Sequence, residues 1–147
     1  MATLTINLPD EELKFVENYL ALEQARFTNR LKVELPRGDF GQVRLPGLSL
    51  QPLVENAVRH GIARMIEGGA VEVSVERNGA GCTVTVKNPY DASEGPVNAC
   101  GFFREGHALA NVRERLRLFA GERARIEVRE PAPGYVSVSL NLPAELA

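Results

Sequence analysis

The 147 residues suit one domain with one hydrophobic core. With 44% hydrophobic and 24% charged residues, the composition excludes a disordered or fibrous chain. The formal net charge of -2 gives no bulk attraction to nucleic acid or to an anionic membrane surface.

In chain order, Asp10 to Phe27 is the first predicted helix. Leu13, Val16, Leu20 and Phe27 recur at roughly helical spacing, with Tyr19 and Leu22 nearby. Pro9 followed by Asp10, Glu11 and Glu12 suits a helix start, because carboxylates favour the positive helix end. Leu31 to Leu35 alternates apolar and polar residues and reads as a short strand; Pro36 to Pro46 reads as loop. Ser49 to Ile62 is the second predicted helix. Ser49 caps it, Pro52 is tolerated in its first turn, and Leu50, Leu53, Val54, Ala57 and Val58 form its buried stripe. Gly61 or the Gly68-Gly69 pair ends this region.

Val71–Arg77 and Cys82–Lys87 alternate with period two, and Asn78-Gly79-Ala80-Gly81 between them predicts a hairpin. Asn88 to Glu105 is long, rich in Gly, Pro, Asn and Ser, and without periodicity, which marks either a functional lid or a disordered segment. Few core-forming residues lie in it beyond Phe102 and Phe103, so Asp91–Glu105 is expected to be mobile. Leu109 to Phe119 is the third helix, with Leu109, Val112, Leu116 and Phe119 on one face and Gly121 at its stop. Arg125–Arg129 and Tyr135–Leu142 are the last strands. This order predicts an α+β fold, a two-layer α/β sandwich with helices on one face of a mixed sheet. A doubly wound nucleotide fold is disfavoured by the absence of GxGxxG and of a GxxxxGK phosphate loop.

Cys82 and Cys100 stand alone, with no CxxC spacing or adjacent histidine, and make no zinc site. The start MATLTINLPDEEL has no basic region followed by an apolar one, and no apolar run reaches bilayer-spanning length. A cytoplasmic location is the expectation.

Three constellations bear on chemistry. Glu55 and Arg59, and likewise Asn56 and His60, are four apart and stack on the polar side of the second helix. An amide oxygen is a hard magnesium ligand, a carboxylate orients or accepts a proton, and guanidinium and imidazole contact phosphate oxygens. On periodicity alone, an exposed flank with a Glu55–Arg59 pair explains the same pattern. The second constellation is the glycine-containing loop ending at Gly106-His107-Ala108-Leu109, which runs into the third helix. Such a junction offers free N–H groups and a positive dipole to phosphate. The third is Asn88-Pro89 at a strand end, where Asn either reads a base edge or starts a turn. In addition, Asn111 to Arg129 carries six arginines against three glutamates, either a solvated face or a positive rim for a polyanion such as a triphosphate.

In this order, the segments resemble the GHKL ATPase superfamily and, within it, the LytS/AlgZ-like sensor histidine kinases. LSLQPLVENAVRHGI looks like that family's N box, GHALANVRERLRLFAG like its second glycine box, and YLALEQARF (Tyr19–Phe27) like the segment preceding its catalytic domain. The resemblance implies a Bergerat-type fold binding ATP with Mg2+ under a lid, with residues 1–30 as a linker helix and 31–147 as the ATP-binding catalytic domain. It implies Asn56 as the magnesium ligand and Glu55 as the polarising carboxylate. Arg59 and His60 would lie near the phosphates, and Asn88 would meet the adenine amino group. Gly106, His107, Ala108 and Leu109 would cradle the phosphates by backbone N–H groups, and Gly101 would also belong to the nucleotide-binding residues. The implied partners are a phosphoacceptor region of the same kinase, a second copy of the full-length protein, and a response regulator of LytTR type; nucleic acid is not among them.

Departures from the family pattern are Asn88-Pro89-Tyr90 where Asp-Asn-Gly is usual, Ala108 where a glycine is usual, and no HPHFLFN-like phosphoacceptor motif. Both histidines fall inside nucleotide motifs, so this chain alone is expected not to autophosphorylate. Two other functions stay open: a degenerate GHKL module acting by protein contacts, and a serine kinase of the anti-sigma-factor type.

Overall fold

A computed structural model describes residues 5–8, 11–27, 31–34, 43–46, 50–62, 68–78, 81–90 and 108–143. The elements are β1 (Thr5–Leu8), α1 (Glu11–Phe27), β2 (Leu31–Glu34), β3 (Val43–Pro46), α2 (Leu50–His60), β4 (Gly69–Asn78), β5 (Gly81–Pro89), α3 (Ala108–Ala120), a 3-10 turn (Gly121–Arg123), β6 (Arg125–Arg129) and β7 (Tyr135–Pro143).

The main sheet has the order β2-β4-β5-β7-β6. β2 runs parallel to β4, and the other neighbours are antiparallel. The sheet is therefore mixed, as the alternating strands predict. Asn78 pairs with Gly81, so the predicted hairpin closes through a two-residue connection.

Period two in β5 explains the layering. Cys82, Val84, Val86 and Asn88 point inward and are buried, while Thr83, Thr85 and Lys87 face the other side. That second face is polar. Thr83 Oγ1 donates to Asn141 Oδ1 at 2.9 Å, Thr85 and Ser139 hydroxyls meet at 3.0 Å, and Lys87 reaches Glu72 at 3.7 Å. Each is a directly opposed cross-strand pair. The helices contribute to one core with the inward face. Val16, Leu20 and Phe27 of α1, the α2 stripe, and Leu109, Val112, Leu116 and Ala120 of α3 join Val71, Val73, Val84, Val86, Val138 and Leu140.

The structure corrects three boundaries. Pro36 to Pro46 is not all loop, because Val43–Pro46 is β3, paired antiparallel with an unpredicted β1 in a separate two-stranded sheet. α2 stops at His60 rather than Ile62. β5 runs through Asn88 and Pro89, so Asn88 does not start a turn. Gly121 ends α3 as expected, and its φ of 63° is the reason a glycine stands there, since a Cβ would meet no neighbour. Most of the lid segment, from Asp91 through His107, lies outside the described residues, as do Ser49 and Cys100. Among the described residues, no helix is long and apolar enough to cross a membrane.

Candidate functional site

α2 buries Leu50, Leu53, Val54, Ala57 and Val58 to 2% exposure or less, as its spacing predicts. Its polar side is not a uniformly solvated flank. Asn56 is also buried, at 6% exposure, and its Oδ1 has no hydrogen-bond partner. It is the one such buried side-chain atom among the described residues. Buried polar atoms in native proteins are almost always satisfied, so an orphaned amide oxygen calls for a missing donor or cation.

Glu55 is half-buried and accepts a hydrogen bond from Gln51 Nε2 at 3.0 Å. It makes no ion pair with the exposed Arg59, so the pairing that spacing allowed is not formed. Tyr19 of α1 lies in the same electrostatic surroundings. Burial pushes its hydroxyl up to about 12, with Glu23 and Glu55 adding to the rise and Arg59 and Arg26 opposing it. Sequence reasoning missed Tyr19 as a neighbour of this flank; its spacing only placed it beside the α1 stripe. His60 is the last residue of α2, and its side chain lies outside the described set.

Asn88 extends the inward row of β5 to the sheet end. At 3% exposure it is as buried as the valines before it. Its Nδ2 donates to the Pro89 carbonyl at 2.8 Å, which fixes the amide orientation. Gly61, which donates its N–H to Ala57 O at 3.1 Å, brings α2 against this point. A Cβ on Gly61 would stand 2.1 Å from Asn88 Nδ2, 2.5 Å from Ala57 O and 2.7 Å from Pro89 O. The absent side chain is thus what lets the end of α2 touch the end of β5. Just beyond, Tyr90 N donates to Gly134 O at 2.9 Å and its hydroxyl donates to Glu130, which raises the Tyr90 pKa above its ordinary value. These two bonds tie Tyr90, at the end of β5, to the β6–β7 connection.

The remaining sequence-derived residues divide. Leu109 has its side chain fully buried in the core, so only its backbone is available to a ligand. Ala108 opens α3, and Gly101, Gly106 and His107 lie outside the described residues. The arginines gather elsewhere: Arg113, Arg117 and Arg125 line a groove between α3 and β6 that contains none of Glu55, Asn56 or Asn88.

Among the described residues, no three His, Cys, Asp or Glu side chains gather as a metal cage. A hard cation carried in on phosphate oxygens needs no such cage, since magnesium keeps several waters and takes one or two protein oxygens. Asn56 Oδ1 fits that demand.

No protein-family model matches the chain. It is 32% identical over 135 residues to the sensor histidine kinase BtsS of Escherichia coli K12, covering 90% of this chain and 23% of that protein. It is 30% identical over 152 residues to the sensor protein LytS of Bacillus subtilis, covering 92% of this chain and 24% of that protein. The chain therefore spans about a quarter of the length of these relatives. Among solved structures, a nucleotide-free form of the catalytic domain of histidine kinase ThkA superposes with a TM-score of 0.68 at 16% identity, covering 97% of this chain and 96% of that one.

Proposed function

We propose, for a chain that belongs with the catalytic domains of LytS-like sensor histidine kinases, that it binds ATP with magnesium and presents the γ-phosphoryl group to a histidine outside this sequence. The observation carrying this reading is the buried Asn56 Oδ1 without a partner, on the helix that Gly61 holds against Asn88. Magnesium held at Asn56 Oδ1 would supply charge neutralisation to the phosphates, and little covalent chemistry would be left to the protein.

The chain's own residues bind and orient. Asn56 offers its amide oxygen to the cation. Glu55, held by Gln51, orients the attacking group or accepts its proton. Arg59 and His60 donate to phosphate oxygens. Asn88, whose Nδ2 is committed to Pro89 O, keeps its Oδ1 for the adenine amino group. Backbone N–H groups from Gly101, Gly106, His107, Ala108 and Leu109, at and before the α3 N-terminus, cradle the phosphates. The partners are a phosphoacceptor region, a second copy in the full-length kinase, and a response regulator of LytTR type, all in the cytoplasm. Residues 1–30 act as the linker into the ATP-binding unit.

Calorimetric titration with a non-hydrolysable ATP analogue, with and without magnesium, tests this. Magnesium-dependent binding that Asn56→Ala weakens by ~100-fold or more supports it, since loss of even outer-shell metal contacts costs 10 to 100-fold. Unchanged affinity in Asn56→Ala would sink the assignment. A second reading, a degenerate module acting through protein contacts, is favoured by Asn88 lacking the charge of an aspartate. No binding at millimolar analogue would select it.

A further inference from the structure

Three features of the main chain converge on the side-chain nitrogen of Asn88. The first is the Pro89 carbonyl, which accepts from Nδ2 at 2.8 Å. That carbonyl is held in place. The proline ring fixes its own φ and lies tight against the start of β4, since a Cβ on Gly69 would stand 2.5 Å from Pro89 Cγ. Tyr90 N donates to Gly134 O at 2.9 Å, and in a planar trans peptide this aims the Pro89 carbonyl the opposite way. The second feature is the Ala57 carbonyl. A single point, the Cβ that Gly61 lacks, is 2.1 Å from Asn88 Nδ2, 2.5 Å from Ala57 O and 2.7 Å from Pro89 O. The third is the end of α2 at His60, where the helix dipole is negative. All three favour a donor and repel an acceptor or an anion, and at 3% exposure little water screens them.

We propose that these carbonyls lock the polarity of residue 88, with Pro89 as the positioning residue, so that a neutral amide works there and a carboxylate does not. Asn88 is then no weakened aspartate. An aspartate would set its second oxygen against Pro89 O and Ala57 O, where Asn88 now places a donor. A flipped amide would do the same and is disfavoured by ~10-fold or more. With Nδ2 spent on the main chain, Oδ1 is the side-chain atom left to a ligand, and it can only accept. A 6-amino purine offers it a donor, whereas a 6-oxo purine offers an oxygen of like polarity. Base reading at Asn88 rests on the nucleotide site proposed above; the intolerance of a carboxylate does not, because the carbonyls are present without ligand.

The test pairs calorimetric titration of the whole chain with its melting temperature free of nucleotide. The probes are the non-hydrolysable triphosphate analogues of adenosine and inosine, with magnesium; their bases differ in a 6-amino against a 6-oxo group. The wild type should bind the adenosine analogue ~10-fold or more tightly than the inosine analogue. Asn88→Asp should bind the adenosine analogue ~10-fold more weakly than the wild type does, and should melt below the wild type with no nucleotide present. Asn88→Ala, which sets no charge against the carbonyls, should fold and bring the two affinities close to equality. Tighter or unchanged adenosine binding by Asn88→Asp, a melting temperature at or above that of the wild type, equal affinities in the wild type, or a preference that survives in Asn88→Ala would each overturn the proposal. If the wild type binds neither analogue, the nucleotide site and base reading fall together, while lower melting of Asn88→Asp still supports the polarity lock.

Discussion

Asn56 holds a polar oxygen out of water without a compensating bond, and that arrangement costs stability in the ligand-free chain. An apolar residue of similar volume removes the cost. Asn56→Leu should raise ligand-free stability by about 1 kcal/mol in urea denaturation while removing magnesium-dependent nucleotide binding. A fall in stability would mean that Asn56 makes a structural bond instead. Gly61 argues in the opposite direction. A methyl there would meet backbone carbonyls of Ala57 and Pro89 as well as Asn88 Nδ2, and backbone cannot rotate away. Gly61→Ala should therefore cost at least about 2 kcal/mol in the same measurement and weaken nucleotide binding by displacing Asn88. Near wild-type stability would show that α2 and β5 separate easily. Residue type and spacing made Asn56 and Asn88 visible in the sequence. Their burial was not visible, because four-residue spacing cannot tell a solvated flank from one pressed against a strand end.

At the scale of elements, α1 is a structural part of the folded unit. Leu20 is 1% exposed among the core residues, whereas Leu22 is 72% exposed. Leu20→Ala should cost about 2 to 5 kcal/mol and Leu22→Ala within about 0.5 kcal/mol, read from denaturant midpoints. Equal effects would place α1 outside the cooperative unit. The contact of α1 with α2 has a pH signature. Tyr19 titrates near 10.0 when unfolded and about 12 when folded, chiefly from burial, with Glu23 and Glu55 assisting. The folded chain keeps that proton longer, so stability is full below pH 10 and is lost as pH rises toward 12. For this half-buried hydroxyl the loss is about 1 to 2 kcal/mol after allowance for solvent screening. Denaturation at pH 8 and pH 11 should show a larger drop for the wild type than for Tyr19→Phe; equal drops would remove Tyr19 from the α1–α2 contact. Helical periodicity made α1, α2 and α3 legible. β1 and β3 were not legible, because each has four residues and the partner it pairs with lies far along the chain, across α1 and β2.

For the whole molecule, the legible part of the sheet was the part with a wet face and a dry face. Strict alternation in β4, β5 and β7 follows from Val73, Val84, Val86, Val138 and Leu140 facing the helices while Thr83, Thr85, Ser139 and Asn141 form the polar ladder. The strand order was not legible, because alternation specifies which face is buried and not which neighbour is paired. That order predicts a gradient of local stability. β5 lies between β4 and β7 with both edges bonded and its inward row fully covered, whereas among the described residues β2 and β6 each have a single neighbour and β1–β3 form a separate pair. Opening β5 requires breaking two ladders and the core together, while opening β6 breaks one. Native-state hydrogen exchange should therefore be slowest at Val84–Val86, faster in β2 and β6, and fastest in β1 and β3. Exchange in the isolated chain as slow in β6 as in β5 would contradict this gradient.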